Sequence, residues 1–336
     1  MAKIGVIGAG SWGTALARLL CDNGHDVVLW SCIEAEIRML KETHMQQEKL
    51  PGVLLPEALQ YTTDLKEAMA DKEIVVLAVP SPFTRSTARQ MAAYYQPDQV
   101  IVSVAKGIED ETYFTLTDVI EDEIKGAVTC ALSGPSHAEE VVRQMPTTVV
   151  AACPKKSVAE RVQAVFMSPV FRVYTSPDMV GVELGGSLKN VIALAAGVVD
   201  GLGYGDNCKA ALITRGIHEL GQLGLKMGAR FETLSGLSGI GDLIVTCTSV
   251  HSRNRMAGYY IGQGHSMKEA MEMVSQIVEG VYSTKAAYHL SQKYGVEMPI
   301  ISEVNAVLFE DKNPRQAVED LMLRDRKSEG DDSGWS

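Results

Sequence analysis

The chain has 336 residues, 46% of them hydrophobic and 22% charged, an ordinary globular composition with room for about two domains. Its formal net charge of −11 argues against nonspecific nucleic-acid binding, so an anionic ligand must be held by a local cluster of cations working against the overall field. Six scattered cysteines without a C-x-x-C pair, and seven histidines without zinc-ligand spacing, point to a reduced, cytoplasmic protein with neither a disulfide framework nor a metal site.

The first apolar run, Ile4 to Ile7, reads as a buried parallel strand. It begins so near Met1 that no signal peptide is expected. It leads into Gly8-x-Gly10-x-x-Gly13. Thr14 to Cys21 follows with apolar residues at helical spacing, and then Asp26 to Trp30 as a second strand. Among thirty glycines the fingerprint alone is weak, but between a strand and a helix it reads as a dinucleotide-binding βαβ unit. Gly8 permits the tight turn, Gly10 lets a pyrophosphate approach the backbone, and Gly13 lets the helix lie close on the strand. Ser11 and Trp12 open a helix whose unpaired N–H groups favour phosphate. Past the second strand stand Ser31, Cys32, Ile33 and Glu34, with Arg38 further on. No basic side chain waits there for a 2′-phosphate and no aspartate ends the strand, which leaves NAD and NADP both open.

Ile74 to Val79 is a third strand, ending in Pro80-Ser81-Pro82. Val100 to Val104 leads into Ala105-Lys106-Gly107, and Val128 to Leu132 into Ser133-Gly134-Pro135-Ser136-His137-Ala138. Thr147 to Ala152 and Phe171 to Tyr174 add two strands, with Ser157 and Glu160 as a capping box opening the helix between them. The alternation predicts a doubly wound parallel sheet over residues 1–178, with ligands at the strand C-terminal ends.

After Ser176-Pro177-Asp178 the pattern turns helical. Leu184, Leu188, Ile192, Ala195 and Val199 form one apolar stripe, and residues 207–227 a second long helix. Ser266 with Glu269, and Asn313 with Pro314, cap further helices. Residues 179–326 are therefore expected to be all-helical, and the polar, acidic tail 327–336 to be disordered. The longest wholly apolar run, Val191 to Val199, is too short to span a bilayer.

Five polar segments could carry chemistry. Lys106 follows a strand end, where a lysine either points into the crevice or is merely solvated. Gly134 and Pro135 shape a turn with the Ser136 hydroxyl as donor, or simply cap a helix. Lys189 has Gly185 and Gly186 one turn before it. Each glycine costs a helix roughly 1 kcal/mol relative to alanine, so something needs that space. Either helices pack closely there, or substrate reaches a lysine whose desolvation suits it to acid–base work. Residues 236–241 read as a flexible glycine loop ending in Asp242. The hydroxyls, amide and two arginines of Thr246 to Arg255 suit phosphate, unless Ser252 is only a helix cap. Ile277 to Gly280 reads as a loop against the crevice or an ordinary turn.

GAGSWGTALA at 8–17, VAKGIE at 104–109, LSGPSHAEE at 132–140, LKN at 188–190, GLSGIGDLIVTCTS at 236–249, SRNR at 252–255 and VEG at 278–280 together resemble the bacterial NAD(P)-dependent glycerol-3-phosphate dehydrogenases. The resemblance runs from Lys3 to about Leu323. It implies a Rossmann domain plus an all-α domain like that of 6-phosphogluconate dehydrogenase. It implies interconversion of dihydroxyacetone phosphate and sn-glycerol 3-phosphate for glycerophospholipid synthesis, with NAD or NADP as cofactor and a homodimer as assembly. No nucleic acid and no membrane insertion are expected. Lys189 would be the proton donor and acceptor. Lys106, Gly134, Ser136, Lys189, Asp242, Ser252, Arg253 and Asn254 would surround the substrate, Arg253 anchoring its phosphate. Gly8, Gly10, Ser11, Trp12, Gly13, Cys32, Lys106, Ala138, Arg253, Ile277 and Glu279 would touch the cofactor. Asp242 would orient Lys189 or a substrate hydroxyl, and His137 adds a group that titrates near neutrality. Two alternatives compete: a dehydrogenase of the same architecture acting on a carboxylate, such as a 3-hydroxyacid dehydrogenase or a ketopantoate reductase, and a nicotinamide-sensing protein without turnover.

Overall fold

The computed structural model describes residues 1–274, 276–326, 328 and 329. Eight strands form one sheet: β1 (Lys3–Ile7), β2 (Asp26–Trp30), β3 (Gln60–Thr62), β4 (Ile74–Leu77), β5 (Val100–Ser103), β6 (Val128–Ser133), β7 (Thr147–Ala152) and β8 (Phe171–Ser176). Their order is β3-β2-β1-β4-β5-β6-β7-β8, parallel throughout except where β7 runs against β6. Every residue of β4 and β5 is buried, because helices cover both faces; that is why these strands read as unbroken apolar runs. The covering helices are α1 (Ser11–Asp22), α2 (Glu34–Thr43), α3 (Leu65–Met69), α4 (Thr84–Met91), α5 (Leu116–Glu123), α6 (Ala138–Val141) and α7 (Lys156–Phe166).

One strand is new and two local expectations change. β3 is a three-residue edge strand, too short and too polar to give a period-two signal. β4 stops at Leu77, since the next residue, Ala78, turns its carbonyl to within 2.8 Å of where a Cβ on Gly8 would lie. The Ser157–Glu160 box does not form. The helix α7 starts at Lys156 behind Lys155, which makes no side-chain cap bond, and Glu160 pairs with Lys156 at 3.6 Å instead.

The second half is helical: α8 (Met179–Gly201), α9 (Asp206–Lys226), α10 (Phe231–Leu234), a π-helical turn (Leu237–Gly241), α11 (Asp242–Thr248), α12 (Arg253–Gly262), α13 (Met267–Val274), α14 (Glu279–Tyr294), α15 (Pro299–Phe309) and α16 (Pro314–Met322). Ser266 and Glu269 exchange their reciprocal cap bonds, and the Asn313 side chain accepts from Arg315 N at 2.9 Å. The apolar stripe of α8 is only part of its buried surface, because α8 is enclosed on all sides from Gly181 to Val199. Its 23 residues are long and apolar enough to cross a membrane, yet protein buries the whole of its most apolar 18-residue stretch. Helix α12 crosses α8 with backbones almost touching: a Cβ on Gly258 would lie 1.9 Å from the Leu194 carbonyl oxygen. Of the tail, Lys327 and residues 330–336 lie outside the described residues, and Ser328 and Glu329 are exposed.

The helical half docks on the loops that follow β4, β5 and β6. Glu183 of α8 accepts from Thr117 N at 2.9 Å and from Thr117 Oγ1 at 2.5 Å, at the start of α5. Ser187 Oγ donates to the Gly107 carbonyl at 3.0 Å. Glu279 accepts from Ser81 N at 3.1 Å and from the Ser81 hydroxyl. The crevice between the halves therefore opens at the strand C-terminal ends, where the sequence places its polar segments.

Candidate active site

Two lysines share one buried carboxylate. Lys189, midway along α8, donates to Asp242 Oδ1 at 2.6 Å and to Thr246 Oγ1 at 2.5 Å. Lys106, just past β5, donates to Asp242 Oδ2 at 2.5 Å and to the Gly134 carbonyl at 2.9 Å. Asp242 opens α11, and Thr246 stands one turn later, its hydroxyl donating to the Asp242 carbonyl at 2.6 Å. This leaves the Thr246 oxygen free to accept from the lysine. Burial pulls the Lys189 ammonium down to about pKa 8; Asp242 opposes the shift and the Lys106 charge reinforces it. Burial alone would raise Asp242, but the two ammonium groups outweigh it and hold the carboxyl below its ordinary value. Two cations against one anion leave the pocket one positive charge in excess, an anion site within an acidic protein.

The glycines before Lys189 serve packing. A Cβ on Gly185 would lie 2.6 Å from the Ser238 carbonyl oxygen, and one on Gly186 2.7 Å from Ser133 Oγ and 3.4 Å from the Lys106 stem. They admit the π-turn and the second lysine, and give substrate no path of its own. Residues 237–241 are likewise no flexible loop: they form the π-helical turn, with Ser238 and Gly239 buried. Ser136 Oγ donates to the Gly134 carbonyl at 2.8 Å and lies 3.5 Å from Lys106 Nζ. Gly134 has φ near +150°, and a Cβ there would meet Val149 Cα at 2.9 Å. His137 is half-buried with an unpartnered Nε2, its ring 6.0 Å from that of His251. Burial, then the Lys189 charge, hold its pKa below the ordinary histidine value.

At the rim, α12 sorts the SRNR residues. Ser252 does act as the cap, accepting from Arg255 N at 3.2 Å. Arg255 turns away to Asp200, at 2.6 Å, so only one of the two arginines is left for phosphate. That one, Arg253, is exposed, with Nη1 3.3 Å from Gln276 Oε1. Asn254 is buried, donating to Asn190 Oδ1 at 2.9 Å and accepting from Gly280 N at 2.7 Å. Its amide thus ties α12 to α8 and α14. Glu279 is the first residue of α14 rather than part of a loop, and Ile277 lies partly buried just before it. Burial pushes the Glu279 carboxyl up against the pull of its Ser81 bonds. Thr246, Asn190 and Ser81 belong to this array; the sequence reading counted Thr246 among the phosphate hydroxyls rather than as a partner of Lys189, and gave Asn190 and Ser81 no role. Thr246 alone had a signal, its i+4 spacing from Asp242.

The glycine turn fits a dinucleotide. Gly8 has φ +119°, and a Cβ on Gly13 would fall 1.9 Å from the Gly8 carbonyl oxygen. A Cβ on Gly10 would meet nothing within 4 Å, so one face of the turn is open. Gly10 caps α1 without a side chain, leaving the first-turn amides, Ser11 and Trp12 among them, available to phosphate. Ala138 packs in the core cluster that also holds Ala15 and Leu16 of α1, and Cys32 is exposed beyond β2.

Known proteins match both halves. Residues 3–159 match the family model of the NAD-dependent glycerol-3-phosphate dehydrogenase N-terminus, and residues 178–319 that of its C-terminus. The chain belongs to the NAD-dependent glycerol-3-phosphate dehydrogenase family. It is 61% identical over 335 residues to a glycerol-3-phosphate dehydrogenase [NAD(P)+] of Agathobacter rectalis, covering 100% of both chains. It is 49% identical to the Bacillus subtilis protein of that name, over 99% of this chain and 97% of the other. The crystal structure of glycerol-3-phosphate dehydrogenase from Coxiella burnetii superposes with a TM-score of 0.93 at 38% identity, over 96% of this chain and 99% of that one. A ketopantoate reductase from Ralstonia eutropha superposes at 0.62 with 15% identity, over 95% and 99%, which shows a shared fold alone. Membership of the dehydrogenase family separates this chain from that carboxylate-directed alternative.

Proposed function

We propose that this protein interconverts dihydroxyacetone phosphate and sn-glycerol 3-phosphate with NAD(H) or NADP(H), supplying glycerophospholipid synthesis in the cytoplasm as a homodimer. The observation that carries this reading is the Lys106–Asp242–Lys189 array, built from both halves at the strand C-terminal ends. The glycine turn with Ser11, Trp12, Cys32, Ala138, Ile277 and Glu279 would hold the dinucleotide along its length, and its nicotinamide would supply a hydride equivalent. Everything else falls to the chain. Reduction builds negative charge on the substrate C2 oxygen, and Lys189, an ammonium with a pKa lowered to about 8, stabilises and protonates it. Asp242 keeps the lysine charged and aimed, and Thr246 accepts its second hydrogen bond. Lys106 with Gly134 and Ser136 completes the substrate wall, while Ser252, Arg253 and Asn254 form the phosphate end. Binding energy gained on the phosphate positions C2.

The test is loss of reduced-nicotinamide absorbance on mixing purified protein with dihydroxyacetone phosphate, using each reduced cofactor in turn. Turnover with this substrate and none with ketopantoate or a 3-oxo acid is expected. Turnover only of a keto acid, or nucleotide binding without turnover of any substrate, would overturn the reading.

A further inference from the structure

The end of β2 is where this fold meets the adenosine ribose, and so where a 2′-phosphate is accepted or refused. The side-chain donors of Trp30 and Ser31 there are turned inward. Trp30 Nε1 donates to the Thr63 carbonyl at 2.9 Å, and Ser31 N to the Thr62 carbonyl at 3.2 Å. The Ser31 hydroxyl donates to Glu36 Oε2 at 2.5 Å and accepts from Ile33 N at 3.2 Å, so it has no proton left for a phosphate. The other oxygen of Glu36 takes Gln46 Nε2 at 2.8 Å and Lys49 Nζ at 2.7 Å, which engages that lysine. Gln46 also donates to the Ala9 carbonyl at 2.9 Å, fastening this network to the glycine turn. The positive end of α2 is matched by its own carboxylates, Glu34 at the first position and Glu36 at the third. What remains exposed is the Cys32 thiol, the Ile33 side chain at 51%, the Glu34 carboxylate, and Arg38 a full turn beyond Glu34.

We infer that this chain selects NAD(H) over NADP(H), with Glu34 as the discriminating residue. The inference rests on the oxidoreductase reading above. A carboxylate accepts hydrogen bonds from a ribose diol but repels a phosphate dianion placed beside it. No cationic side chain stands in residues 31–34 to offset that repulsion, Arg38 lying a full turn further along α2, and Lys49 is spent on the buried Glu36.

Equilibrium binding of NADH and of NADPH to the full-length protein, read from nucleotide fluorescence without substrate, tests this. NADH is expected to bind at least about tenfold more tightly, as one unscreened like-charge contact implies. Glu34→Gln should shift the ratio of the NADH and NADPH dissociation constants several-fold toward NADPH. Ile33→Arg, at an exposed site, should close most of the gap by supplying a guanidinium. NADPH binding as tight as NADH in the wild type would overturn the inference. Discrimination that survives both substitutions would also overturn it, by putting the selectivity elsewhere. Binding of neither nucleotide would instead bring down the oxidoreductase reading on which it stands.

Discussion

The two glycine-rich turns of this protein, residues 8–13 and 236–241, look alike as composition and differ in what fills the room beside their central glycines, Gly10 and Gly239. At Gly10 a Cβ would meet nothing within 4 Å, so the turn leaves space for something that is not protein. At Gly239 a Cβ would lie 1.8 Å from the Leu234 carbonyl oxygen, and at Gly185, on the neighbouring helix, 2.6 Å from the Ser238 carbonyl oxygen. There the backbone itself takes the space. A run of glycines reports that something approaches the chain closely; only tertiary neighbours say whether that is ligand or fold.

The sharpest test of the helical region is Lys189→Ala. It should lower kcat by about a hundredfold or more while nucleotide Kd stays put, as loss of a general acid implies. A variant with kcat near that of the wild type would make the lysine structural only. Gly239→Ala should cost about 3 kcal/mol of stability or prevent folding, measured by the denaturant midpoint, because backbone must move. Gly10→Ala should leave stability within about 0.5 kcal/mol but weaken nucleotide binding about tenfold, reversing that profile. Equal stability losses in these two variants would erase the contrast between the turns. Arg253→Ala should raise the KM for dihydroxyacetone phosphate about tenfold with kcat little changed, since the rim cation binds ground and transition states alike. An unchanged KM would put the phosphate elsewhere.

What the sequence revealed was whatever is local. The βαβ fingerprint, the strand-end lysine and the Ser266 and Asn313 caps depend on residues a few positions apart. What it withheld depends on distance along the chain. Thr246 becomes a partner of Lys189 across 57 residues, and Ser81 of Glu279 across 198. Arg255 looked equivalent to Arg253 until the fold brought Asp200 to it from 55 residues away. The Ser157–Glu160 pair had the right spacing for a cap, but α7 begins at Lys156, two residues too early to use it. The glycines before Lys189 were correctly suspected of making room, and only the packed π-turn and the Lys106 stem show for what.

The pH dependence of kcat/KM for dihydroxyacetone phosphate reduction, in the wild type and in Asp242→Asn, probes the shared carboxylate directly. Reduction needs Lys189 as the ammonium, which is present below its pKa and lost above it, so kcat/KM should fall as pH rises through about 8. Asp242→Asn removes the anion that favours the charged form, so the fall should move to lower pH. A profile flat through this range, or a falling limb that stays in place in the variant, would contradict a lysine acid held between the two halves by Asp242.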